Sequence, residues 1–405
     1  MQNHPTGETV GEQRKAVTGA PFPLLKYGFR PFFLGASVSA VLAMALWISW
    51  LAGLLTLAGN YGALAWHAHE MIFGYTAAVV AGFLLTAVPN WTGRRPVDGW
   101  RLLFLFLLWC AGRVAFLVIG LTSPLPAIVL DSLFLPCLLL VVAREVVLGR
   151  SWRNLAPLVL VGLLAVSNIG FHAEILITGN AGAAGQAGVA VIVALIILIG
   201  GRIVPSFTRT HLSRKGATHL PVPFNRFDIV SLATAAIALI AWVAGPRETW
   251  TGVLFLLAAL LQFVRMNRWA GLYVWSNPLV FVLHLGYLFV PLGFLLGGVS
   301  ILLPGSLAGS AAMHAWTVGA IGVMTLAVMT RATLGHTGRE LAASGLTVAA
   351  YGAIVASAVL RIAAGAFPNA GLGLIDLAGF SWIAGFSLFA IEYVPMLVRA
   401  RLDHR

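Results

Sequence analysis

The chain has 405 residues, 60% hydrophobic and 9% charged, with a mean hydropathy of +0.93. Soluble domains carry about 25% charged residues, so that class is excluded. A net charge of +12 would suit nucleic acid, but the basic residues stand in short clusters between apolar runs. That is how a membrane protein is oriented, so no nucleic-acid partner is expected.

The first 25 residues are polar and carry neither the apolar core nor the cleavage pattern of a signal peptide. They are expected to form a flexible cytoplasmic tail, and residues 26–405 a single transmembrane domain. Residues 269–330 contain no Lys, Arg, Asp or Glu, room for two spans of ~20 residues and a connection. Dividing the chain at charge and Gly/Pro/Asn clusters predicts twelve helical spans, at 32–58, 66–89, 102–120, 124–143, 155–178, 183–204, 228–245, 249–265, 276–298, 308–330, 342–363 and 374–398. The alternating strands of a β-barrel are not seen. An all-α polytopic membrane protein is predicted.

Placing both termini in the cytoplasm puts all of the 25 Lys and Arg on that side except Arg113, Arg247 and Arg361. Three cytoplasmic span ends look alike: Pro89–Arg94 (PNWTGR), Pro205–Arg209 (PSFTR) and Gly335–Arg339 (GHTGR). Spans 2 and 10 also open near the pairs His67-Ala68 and His314-Ala315. These likenesses hint at three four-helix repeats.

An ionisable side chain in hydrocarbon is costly and therefore a functional candidate. His67, His69, Glu70, Arg113, Asp131, His172, Glu174, His284, His314 and Glu392 qualify. Helical rise places the groups of spans 2, 5 and 10 in the outer third of the membrane, and His284 nearer the midplane. His67 and Glu70 share a helical face, whereas His67 and His69 point to opposite sides, so two sites flanking span 2 are expected. Asn168 and His172 share a face, and Glu174 points elsewhere. Arg113 and Asp131 are placed to pair across neighbouring spans. Glu392, near the cytoplasmic end of span 12, suits proton uptake or a hydrogen-bonded carboxylate. Taken singly, His284 and His314 equally suit helix–helix hydrogen bonds.

Imidazole is the usual protein ligand of haem iron and copper. No Cys-x-x-Cys-His is present, which excludes covalent c-type haem, and two isolated cysteines exclude a four-Cys iron–sulfur cluster. Non-covalent haem b and a copper held by histidine remain. The ligand candidates are His67, His69, His172, His284 and His314, with Glu70, Arg113, Asn168, Glu174 and Glu392 as supporting or proton-handling groups. No Walker loop, dinucleotide fingerprint or nucleophile elbow occurs.

The stretches Lys26–Phe33 (KYGFRPFF), Trp66–Met71 (WHAHEM), Ala87–Arg94 (AVPNWTGR), Gly201–Arg209 (GRIVPSFTR) and Met329–Arg339 (MTRATLGHTGR) resemble, in order, the NnrS family. The resemblance implies a multi-pass protein of the bacterial cytoplasmic (inner) membrane that contains haem and copper. It also implies a part in the nitric oxide response and denitrifying metabolism, with nitric oxide or a related small molecule as the ligand. A fold-level analogy with haem-copper oxidase subunits places haem ligands on spans 2 and 10, which His67 or His69 would fill with His314. The paired histidines of later spans in those oxidases are lacking, so copper would need another set, such as His172 with His284 or with the His67/Glu70 face. The leading expectation is a haem- and copper-binding protein that binds nitric oxide or relieves iron–nitrosyl damage. The alternative is a twelve-span secondary transporter of a metal or haem-related compound, built from two halves joined by the long connection from Thr208 to Phe227. A sensor of nitric oxide is a third reading, with no soluble signalling domain in the chain to relay it.

Overall fold

Chain ends too polar and loops too short to bury a core of their own leave the apolar runs to make the structure. The computed structural model describes residues 22–305, 309–367 and 371–402. Twelve helices in it are long and apolar enough to cross a membrane. They are α1 Phe29–Leu51, α2 Ala63–Thr92, α3 Gly99–Leu117, α4 Pro124–Leu148, α5 Trp152–Thr178, α6 Ala183–Arg214, α7 Arg226–Ala244, α8 Thr249–Asn267, α9 Pro278–Leu302, α10 Gly309–His336, α11 Gly345–Ala366 and α12 Gly373–Val398. No strand occurs among the described residues. The protein is an all-α polytopic membrane protein. A short 3-10 turn at Pro23–Leu25 leads into α1, and the remainder of the expected N-terminal tail lies outside the described residues.

The first span ends earlier than its apolar run suggests. Helix α1 stops at Leu51, and Gly53 adopts the left-handed conformation at φ +71°. The Leu54 N–H then donates to Ser49 O and the Gly53 N–H to Trp50 O, both at 2.9 Å. This pair of bonds is a Schellman stop, which satisfies the last carbonyls and turns the chain. Residues 52–58 are therefore a loop, where sequence alone predicts helix.

Consecutive spans run in opposite directions, so the starts of odd spans and the ends of even spans gather at one end of the bundle. Most of the arginines lie there. The ends touch directly: Arg30 at the start of α1 donates to Leu397 O at 2.7 Å and to Arg399 O at 2.6 Å, beside the end of α12. Arg94, just past α2, pairs with Glu145 near the end of α4. Helices α2, α6, α9 and α10 are the most enclosed, and α12 packs back on α1 to close the outer row.

Three of the central helices share a second feature. Each contains a π-helical stretch: Glu70–Thr76 in α2, Ile196–Gly200 in α6 and Ala315–Val323 in α10. A π turn leaves carbonyls of the α ladder open to other donors, and such turns are frequent at functional sites. Two carbonyls of these stretches accept a side-chain donor beside a backbone N–H, Gly74 O from Trp109 Nε1 at 3.0 Å and Ile197 O from Arg265 Nη1 at 3.4 Å. Between helices, small residues meet large ones. Gly35 faces the Trp109 ring and Gly188 faces Phe73, the close approach expected of helices in lipid.

Candidate metal centre

Four spans, α2 to α5, and one loop bring polar side chains together at the end of the bundle away from most of the arginines. The α2 stretch that carries Trp66–Met71 is helical up to His69 and π-helical from Glu70. His67 and His69 accordingly leave the helix on opposite sides. His69 is fully buried and faces α3, α4 and α5; its ring stacks on Phe116 with centroids 4.3 Å apart.

Asp131 on α4 is the hub. Its Oδ2 lies 3.1 Å from His69 Nε2, 3.1 Å from His172 Nε2 and 3.0 Å from Asn168 Nδ2, which donates to it. Its other oxygen accepts from the Arg113 guanidinium, which also donates to Glu70 Oε1. Glu70 Oε1 in turn lies 3.3 Å from His69 Nδ1. The hub and both imidazoles are buried, with exposures of 3%, 0% and 2% for Asp131, His69 and His172. One arginine thus bridges two carboxylates, which a buried pair of anions requires.

Tyr61 completes the ring of contacts from the loop before α2. Its hydroxyl lies 3.0 Å from His172 Nδ1. Burial first, and then the nearby Asp131 and Glu70 carboxylates, hold the phenol well above its ordinary pKa. The proton therefore stays on Tyr61, and the hydroxyl is able to donate to Nδ1 or to accept from it.

The donor set fits one divalent metal. One nitrogen each of His69 and His172 and one oxygen of Asp131 lie within 4.8 Å of one another, a span that bonds of about 2.0–2.3 Å to a common ion can bridge with small adjustment. Each imidazole has its far nitrogen engaged, His69 by the Glu70 carboxylate and His172 by the Tyr61 hydroxyl. Such partners fix the tautomer and direct Nε2 toward a metal. Two imidazoles and a carboxylate suit copper, zinc or iron.

The other sequence candidates lie elsewhere. His67 stacks on Trp47 of α1, with centroids 4.2 Å apart, and its buried Nδ1 has no hydrogen-bond partner. His314 of α10 and Arg361 of α11 lie within electrostatic reach of it. His314 Nδ1 donates to Ser310 O at 2.7 Å, which leaves Nε2 as the ring nitrogen able to act as a ligand. His314 therefore joins His67 on one side of α2, while His69 joins His172 on the other. Glu70, expected on the His67 face, turns instead to Arg113, because the π turn begins at this residue and the buried guanidinium draws its carboxylate. His284 is six residues into α9 from the arginine-rich end and shares a hydrogen bond with Thr208 Oγ1 at 2.7 Å, whereas His172 is six residues from the other end of the bundle on α5. Glu174 caps the start of α6, accepting from Ala184 N–H at 3.1 and 3.2 Å. Glu392 accepts from Thr347 Oγ1 at 2.9 Å.

The sequence marks Asp131 as an intramembrane candidate and a partner for Arg113, but not as a ligand, and it does not single out Tyr61. The signal for Asp131 is its position: it is an acid seven residues inside an apolar span, at the depth of His69 and His172. Tyr61 offers none, since it reaches the site from a loop.

A family model described as NnrS protein matches residues 23–401, nearly the whole chain. A search of curated proteins finds no match.

Proposed function

The chain belongs to the NnrS family, and we propose that it is a copper- and haem b-binding protein of the bacterial inner membrane that acts on nitric oxide. The observation that carries the reading is the convergence of His69 Nε2 and His172 Nε2 at 3.1 Å on one buried carboxylate oxygen of Asp131. The resemblance in the sequence supplies copper, haem and nitric oxide; the buried donor set supports the metal.

Under this reading His69, His172 and Asp131 hold copper. Glu70 and Tyr61 set the two imidazoles, and Arg113 balances the carboxylates. His67 and His314 are the haem ligands, on the other face of α2. Three features of this chain support them: the unpartnered buried nitrogen of His67, the backbone-anchored Nδ1 of His314, and Arg361 nearby as a cation for a propionate. Bound at these two places, the metals would supply one-electron chemistry and an open coordination position for a small ligand. An apolar molecule such as nitric oxide partitions into lipid and reaches this depth laterally. The transporter alternative places its site at the midplane, whereas these polar groups stand about 10 Å of helix from the span ends.

The test is metal analysis and a visible spectrum of protein purified from copper- and haem-replete cells, before and after nitric oxide. Expected are one copper lost in H69A and H172A, and a haem band lost in H67A and H314A, each with the other metal retained. Iron in place of copper at the His69 site would overturn the copper assignment. A colourless, metal-free protein would overturn the whole reading.

A further inference from the structure

At the opposite, arginine-rich end, the three sequence stretches that look alike converge on one cavity of ≈ 510 Å³. Asn90 and Trp91 come from α2, Arg202 and Phe207 from α6, and Arg331 and His336 from α10. The volume falls within the range of small-molecule sites, roughly 300–1,000 Å³. The remaining wall is mainly aromatic and aliphatic, and no Asp or Glu lines it among the described residues.

The charges in this wall have no counterion. Arg331 is half-buried, its guanidinium 3.9 Å from the centroid of the Phe207 ring. Neither it nor Arg202 forms an ion pair among the described residues, whereas Arg94, Arg113, Arg265 and Arg268 all do. Arg202 is exposed, but the guanidinium of Arg331 is kept partly out of water without a carboxylate, which costs free energy unless an anion joins it. Its place over the Phe207 ring positions the guanidinium in the cavity wall, and a planar fork of this kind suits two-point contact with a carboxylate or phosphate. Arg202 and Arg331 each stand about 30 Å of helix from the far end of their spans, so both sit at headgroup depth.

We propose that this cavity binds an acyl-chain anion. Its carboxylate or phosphate lies between Arg202 and Arg331, and its chain fills the apolar space between α2, α6 and α10. The site is independent of the metal centre, since it is built from the other ends of α2, α6 and α10. The anionic head comes either from a membrane phospholipid or from a free fatty acid.

The experiment uses the full chain in nanodiscs and native mass spectrometry. Wild-type protein is placed in phosphatidylcholine discs, with phosphatidylglycerol or oleate added in separate arms, and compared with R331M, R202M and A332F. A332F fills the cavity without removing charge, so it separates loss of space from loss of charge, and an unchanged thermal midpoint and metal content mark each variant as folded. Expected is retention of one anion, phosphatidylglycerol in one case or oleate in the other, reduced at least tenfold in R331M and in A332F. Unchanged retention in R331M and A332F, occupation by a neutral lipid alone, or binding of neither anion to wild type would overturn the proposal. Loss of the haem band in R331M, with lipid unaffected, would assign the cavity to the cofactor and overturn it as well.

Discussion

The hydroxyl of Tyr61 lies 3.0 Å from Nδ1 of His172, and the opposite nitrogen of the same ring lies 3.1 Å from Asp131 Oδ2. A loop residue therefore sets the direction in which a helical imidazole points. Tyr61→Phe removes this partner and keeps the ring. Copper affinity should fall about 10–100-fold, the usual effect of losing such a supporting hydrogen bond, with the haem band unchanged. Titration against a competing chelator measures it.

Arg113 clamps Glu70 and Asp131 together. Replacing it with methionine leaves two buried carboxylates without a cation. The cost should be about 3–5 kcal/mol, seen as a lower thermal midpoint in detergent. Arg113→Lys should recover only part of it, because a single ammonium does not offer the two-pronged contact.

Thr208 and His284 form a separate pair at 2.7 Å. Thr208→Val should cost about 1–3 kcal/mol by stranding a buried imidazole nitrogen. Copper and haem content should stay at wild-type levels in both Thr208→Val and His284→Gln. Loss of either metal would make His284 a ligand.

Gly293 on α9 lies flat against the Trp316 ring, whose Nε1 donates to Val290 O at 3.1 Å. A methyl at 293 has no room beside that ring. Gly293→Ala should displace Trp316, cost about 1–3 kcal/mol and shift the tryptophan emission, without touching metal content.

The twelve spans are legible because most of the charge lies at their ends, and residues 269–330 show it most plainly. The end of α1 is not, since Leu51–Ala58 is apolar but for Thr56 and only the left-handed turn at Gly53 stops the helix. Part of the metal centre is legible from the helical period. Asn168 and His172, four residues apart, both reach Asp131, and His67 and His69 diverge. What the period misses is which spans are neighbours. Nothing in the sequence says that α10 approaches α2 from the side of His67, or that the loop before α2 folds inward to deliver Tyr61. The face of Glu70 is misjudged because the arithmetic assumes an α-helix where the backbone widens.

That widening links the two ends of the molecule. A π turn holds one residue more than the α turn it replaces, so deleting one residue from Glu70–Thr76 would screw one half of α2 about 100° against the other. Either His69 would leave Asp131 or Asn90 would leave the cavity, and in α10 the same change would part His314 from Arg331. The surplus residues work as phase shims: they let one rod present correctly clocked side chains at both membrane faces, a setting that no substitution at either face can reproduce.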